Sequence, residues 1–144
     1  HILAENIRKR IGCISFYIDD LHFNLGVKLL NDYFGVQVRG GCACAGTYGH
    51  YLLNITREQS DHIIERLHEG ELFMRPGWIR LSLHPTHSDE ELESILKGIE
   101  YVAANHKELA QAYSYDTRKN IYHCKDDNGS FEEKYLDSIY KTKF

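Results

Sequence analysis

Apolar and polar positions divide the chain into short blocks of two different periods. Residues 12–18 (GCISFYI) form a short, almost continuous apolar and aromatic run closed by Asp19 and Asp20, which predicts a buried strand. Over residues 24–34, Leu25, Leu29, Leu30, Tyr33 and Phe34 fall on one helical face, and Gly35 stands where a C-cap belongs. Residues 36–39 (VQVR) alternate and predict a second short strand. It runs directly into the small residues of 40–46 (GGCACAG), a tight turn or a loop that lets something approach the backbone. Thr56 and Gln59 fit a capping box ahead of a helix through about His68, which Gly70 ends. A turn at Pro76-Gly77 opens the strand 77–83 (GWIRLSL). Ser88 and Glu91 repeat the capping-box pattern before Leu92, Ile95, Leu96, Ile99, Val102 and Ala103, the strongest helical spacing in the chain. Residues 113–124 are polar, tyrosine-rich and extended, and 126–129 (DDNG) form a turn. Ser130 and Glu133 then cap a final helix whose apolar side is Phe131, Tyr135, Leu136, Ile139 and Tyr140.

Strands and helices therefore alternate around a small sheet, the pattern of an α/β or α+β domain. The spacing leaves the strand directions open. Residues 1–112 make the domain, and 113–144 are expected to be an appendage packed on it. A length of 144 residues suits one domain, and a hydrophobic fraction of 42% supports a core. Net charge of −4 gives no electrostatic reason to expect nucleic acid or an anionic membrane as partner. No apolar run approaches the roughly 20 residues of a membrane span. The opening residues carry no secretory pattern, and a chain that starts at His1 is expected to be a piece of a longer protein. Cys13, Cys42, Cys44 and Cys124 are then expected to be reduced thiols of a cytoplasmic protein.

Four groups of residues could carry chemistry. Cys42 and Cys44 lie on the loop that follows Arg39, and a neighbouring guanidinium favours the nucleophilic thiolate. On spacing alone, small apolar filler is the stronger reading of these thiols. Arg80 lies in the middle of an apolar strand, where a guanidinium is costly to bury without an anion and where its planar fork suits a carboxylate. Alternation puts Trp78, Arg80 and Ser82 on one face and Ile79, Leu81 and Leu83 on the other; the first face is either solvent-exposed or turned to a ligand. His50, His84, His87 and His123 with Cys42, Cys44 and Cys124 lack the paired spacing of structural zinc modules, so no metal site is expected. The glycine-rich loop lacks the ending of a P-loop and does not match the dinucleotide fingerprint.

Two of these segments together resemble something specific. Residues 35–45 (GVQVRGGCACA) are similar to the loop of cysteine desulfurases and selenocysteine lyases, in which Val-Arg is followed by a small residue, Gly, two further residues and Cys-Ala. Residues 79–83 (IRLSL), leading to 88–91 (SDEE), resemble that family's Arg-x-Ser strand and acidic helix start, and 10–16 (RIGCISF) fit the element before them. The resemblance spans roughly residues 8–105 and is to the C-terminal small domain of the class V aminotransferase and cysteine desulfurase family. It implies the fold type I architecture of pyridoxal-phosphate enzymes, whose small domain has a mostly antiparallel sheet covered by helices. It also implies that Arg80 holds the substrate carboxylate, that Arg39 lines the cleft, and that Cys44 takes the place of the persulfide-accepting cysteine. Cys42 and Ala43 stand where desulfurases carry polar residues, often His, and 46–51 (GTYGHY) lacks the expected proline-containing run. These departures favour an aminotransferase acting on an amino acid, with Cys44 catalytic only in the desulfurase or lyase alternative. No lysine of the chain stands in the family's cofactor-binding context. Pyridoxal 5′-phosphate is therefore expected on a large domain of the same polypeptide, normally within a homodimer, and the isolated chain is expected to be inactive. A stand-alone, non-catalytic interaction module is the alternative from another class.

Overall fold

β3 (Trp78–Ser82) is the centre of the main sheet, with β1 (Cys13–Phe16) on one side and β2 (Arg39–Gly41) on the other, both antiparallel to it. The computed structural model describes residues 1–42 and 46–127 and shows a mixed α+β fold, with helices packed against this small antiparallel sheet. β3 takes the central place because its apolar residues are buried on both sides: Trp78 is 4% exposed, Ile79 1% and Leu81 5%. Beyond β1 the N-terminal residues extend the sheet. Ile2 bridges Phe16, and the Leu3 amide donates to the Ser15 carbonyl.

Register assigns the faces. Phe16, Ile79 and Gly40 form one cross-strand row, and Ile14 faces Leu81; this face carries the core. Against it lie α1 (Phe23–Phe34) and α4 (Asp89–Leu109), which bring Phe23, Leu25, Leu29, Leu30 and Val102 to Phe16, Ile79 and Leu81. α1 crosses the sheet at close range because it presents Gly26 to Ile79, where a β-carbon would lie 2.5 Å from Ile79 Cδ1. Burying Leu29 and Leu30 completely contributes about 1.5–3 kcal/mol each.

The helix ends follow their capping residues. Gly35 closes α1 with φ 65°, its N–H donating to Asn31 and Leu30 carbonyls. Both expected capping boxes form, Thr56–Gln59 ahead of α3 (Arg57–His68) and Ser88–Glu91 ahead of α4. α4 also has Asp89, Glu90 and Glu91 in its first turn and His106 and Lys107 in its last, matching the helix dipole.

Three elements differ from the expectation. The second strand lies at Arg39–Gly41 and not at 36–39: the alternating residues lead into the ladder, and the glycines pair with β3. A short helix, α2 (Gly46–Leu52), starts at the last residue of the expected loop and covers residues to which the pattern assigned no element. Its two glycines and Thr47 are weak helix formers, so local pattern did not reveal it. The extended stretch after α4 is a hairpin of β4 (Tyr113–Asp116) and β5 (Ile121–Cys124). The hairpin joins the main core through Tyr113, whose hydroxyl donates to Asp32 Oδ2 of α1 at 2.9 Å, while Asn24 Nδ2 donates to the Asn120 carbonyl at 2.6 Å. The final helix read from Ser130 and Glu133 lies outside the described residues, as does Cys44.

Candidate functional site

The face of the sheet turned away from the core carries the charged chemistry. Ser15 faces Arg80 on the β1 side, and Arg39 faces Arg80 on the β2 side, so three strands place Ser15, Arg80 and Arg39 in one row. Directly opposed residues of an antiparallel pair have β-carbons roughly 5 Å apart, and like charges in that relation destabilise the ladder. Two adjacent arginines are thus an arrangement that the fold alone does not favour.

No ion pair joins either guanidinium to a carboxylate among the described residues. Arg80 is partly buried, and its Nε is enclosed with no hydrogen-bond partner among those residues. A buried donor left unmade costs about 1–3 kcal/mol, which makes an orphaned guanidinium nitrogen a feature that needs a cause. Arg39 is exposed at the sheet edge. The pair has the donors, the charge and the fork geometry to receive a carboxylate or another planar anion.

The loop thiols divide. Cys42 is a free cysteine of intermediate burial directly after β2. Cys44 lies outside the described residues. The histidines considered for metal do not gather: among the described residues no group of three or more His, Cys, Asp or Glu side chains could hold an ion. His84 and His87 instead order the turn before α4, His84 Nδ1 lying 2.8 Å from Thr86 Oγ1 and the His84 amide donating to His87 Nδ1.

Two sites escaped the sequence reading. His22 is the N-cap of α1, its Nδ1 accepting from the Asn24 amide at 3.1 Å. Its ring stacks on Phe23 and Phe73 at 4.4 and 4.7 Å, and burial lowers its pKa below the usual histidine range, outweighing the opposing hydrogen bond with the Phe73 backbone. The second site is a cleft of about 430 Å³ at the free edge of β2, bordered by Arg39, Arg75 and Lys119. These cations are 36 and 44 positions apart along the chain, and no spacing signal links them.

Among the described residues no helix is long and apolar enough to cross a membrane. Comparison with protein-family models, curated proteins and solved structures found no match.

Proposed function

We propose that this chain is the small, substrate-carboxylate-binding domain of a pyridoxal-phosphate enzyme of the class V aminotransferase type. The reading is supported by one observation above others: Arg80 and Arg39 stand side by side on the outer face of the sheet, without a carboxylate among the described residues and with Arg80 Nε enclosed and unpartnered. The resemblance of residues 35–45 and 79–91 to the family's loop and strand assigns the same two arginines to the cleft.

The division of labour follows from the side chains. Arg80, on the central strand, fixes the carboxylate bidentately and so sets the angle at which an amino acid enters the cleft. Arg39, on the short edge strand, adds a second charge. The described lysines do not fit a cofactor site. A lysine that condenses with an aldehyde must lose its proton, which burial or a neighbouring cation assists. Here Lys28 pairs with Asp32, Lys97 with Glu93 and Lys107 with Asp20, so these three are already engaged by carboxylates, and Lys9, Lys119 and Lys125 are exposed. This reading assigns the cofactor to a large domain.

The test is titration of the chain with acetate, the smallest carboxylate, followed through the arginine side-chain N–H signals by NMR. Saturable shifts of the Arg80 and Arg39 resonances, abolished by Arg80→Gln, are expected. Shifts that survive Arg80→Gln unchanged, or no saturable response, would overturn the assignment.

A further inference from the structure

We propose that the cleft at the free edge of β2 binds a small multivalent anion, either a phosphate monoester or a dicarboxylate. Its walls come from four separate parts of the chain: β2 with Arg39 and the following Cys42, the first turn of α1 with Asn24, the segment after the 3-10 turn Leu72–Met74 with Arg75, and the hairpin turn with Lys119 and Asn120. A chain with 21 acidic and 17 basic residues here brings three cations to one cleft, and among the described residues no acidic side chain lines it.

Among the described residues no ion pair reaches Arg39, Arg75 or Lys119. One carboxyl that feels the Lys119 charge is that of Asp116 in the hairpin turn. Its Oδ1 accepts the amide N–H groups of Arg118 and Lys119, and those bonds, with the Lys119 charge, hold it below the usual carboxylate range. It shapes the turn that presents Lys119 and lies outside the cleft lining.

The walls are also held in place. Asn24 Nδ2 donates to the Asn120 carbonyl at 2.6 Å, tying the α1 wall to the hairpin wall. Arg66 of α3 binds both Glu69 and Glu71, which fixes the lead into the 3-10 turn and so the departure point of Arg75. α1 starts at the cleft, and the positive end of its dipole adds to the field, although the Asn24 amide is already taken by His22 Nδ1. Three converging cations suit an anion with two or more charges better than a single carboxylate, because each charge-assisted contact needs its own acceptor oxygen. Arg39 borders both this cleft and the Arg80 row, but Arg75 and Lys119 belong to the cleft alone. The inference therefore stands apart from the carboxylate role of Arg80.

The experiment is calorimetric and NMR titration of the full 144-residue chain with inorganic phosphate and, separately, with succinate, in wild type, in Arg75→Gln/Lys119→Gln and in Arg80→Gln. Both cleft residues are exposed, and circular dichroism will check that the variants fold. The expected result is saturable binding of at least one probe that persists in Arg80→Gln and is weakened about tenfold or more in the double variant, as the loss of charge-assisted contacts implies. The probe that binds more tightly identifies the ligand class. Absence of saturable binding for both probes, phosphate binding that the double variant leaves intact, or succinate binding that only Arg80→Gln abolishes with no phosphate binding beside it, would overturn the proposal. Loss of acetate binding in Arg80→Gln with phosphate binding retained would separate the two sites.

Discussion

Removing the charge of Arg80 should make the isolated domain more stable. Arg80 faces Arg39 directly across the ladder, and the repulsion of like charges in that position costs about 0.2–1 kcal/mol. The exposure of Arg39 and ordinary salt place this contribution at the low end. The enclosed Nε of Arg80 adds a larger cost, about 1–3 kcal/mol for a buried donor without a partner. Arg80→Met keeps an unbranched stem of similar reach and removes both costs. The variant should gain about 1–2 kcal/mol once the lost packing of the guanidinium is subtracted. With a urea m-value of about 2 kcal/mol/M, the unfolding midpoint should rise by about 0.5–1 M. Acetate should then stabilise wild type by mass action and leave Arg80→Met unmoved. A variant destabilised by more than about 1 kcal/mol would refute the reasoning, because it would mean that Arg80 already holds a partner inside the chain.

Two further outcomes follow from the packing. Gly77→Ala should destabilise the fold by about 1–3 kcal/mol in thermal denaturation, since its β-carbon would meet the Phe23 ring at 2.6 Å and the Gly41 backbone at 2.9 Å; a neutral result would mean that this contact is looser than described. Tyr113→Phe should cost about 1.5–3 kcal/mol near neutral pH, the usual range for a hydrogen bond to a charged group. Burial alone would raise the Asp32 pKa, but hydrogen bonds from Asn31, Tyr113 and Lys28 outweigh it and lower it, so its stabilisation is full above the unfolded value of about 3.9 and is lost as pH falls through the folded one. Burial and then Asp32 raise the Tyr113 pKa, so its share is present below about 10 and is lost as pH rises beyond that. The stability gap between wild type and Tyr113→Phe should thus narrow at both extremes in urea unfolding; a gap constant from acid to alkaline pH would sink the linkage.

What was legible in the sequence was local. The capping boxes at Thr56 and Ser88, the Gly35 stop and the apolar strand around Ile79 each carry their signal within a few residues, and each formed where the spacing put it. Alternation correctly separated Arg80 from Ile79 and Leu81. It could not show which residue would stand beside Arg80, because strand order and register depend on contacts between residues about 40–65 positions apart. The start of β2 was displaced for the same reason: Val36 and Val38 pack against the core while the paired residues are Arg39 and the two glycines, which have no strand propensity of their own. α2 carries no capping or periodic signal of its own, and the Arg39, Arg75 and Lys119 cleft exists only after the hairpin has been tied to α1.

The Phe23 ring makes the edge strand and the first turn of α1 one mechanical unit. A β-carbon at Gly40 would stand 2.9 Å from the ring and one at Gly77 2.6 Å, so the aromatic edge rests almost directly on the backbone of β2 and of the turn before β3. A rigid plate wedged between three chain segments transmits displacement instead of absorbing it. Trimming that plate, as in Phe23→Leu, would loosen the spacing on which Arg39 depends, and its effect would register as a softened grip on anions even where the fold itself survives.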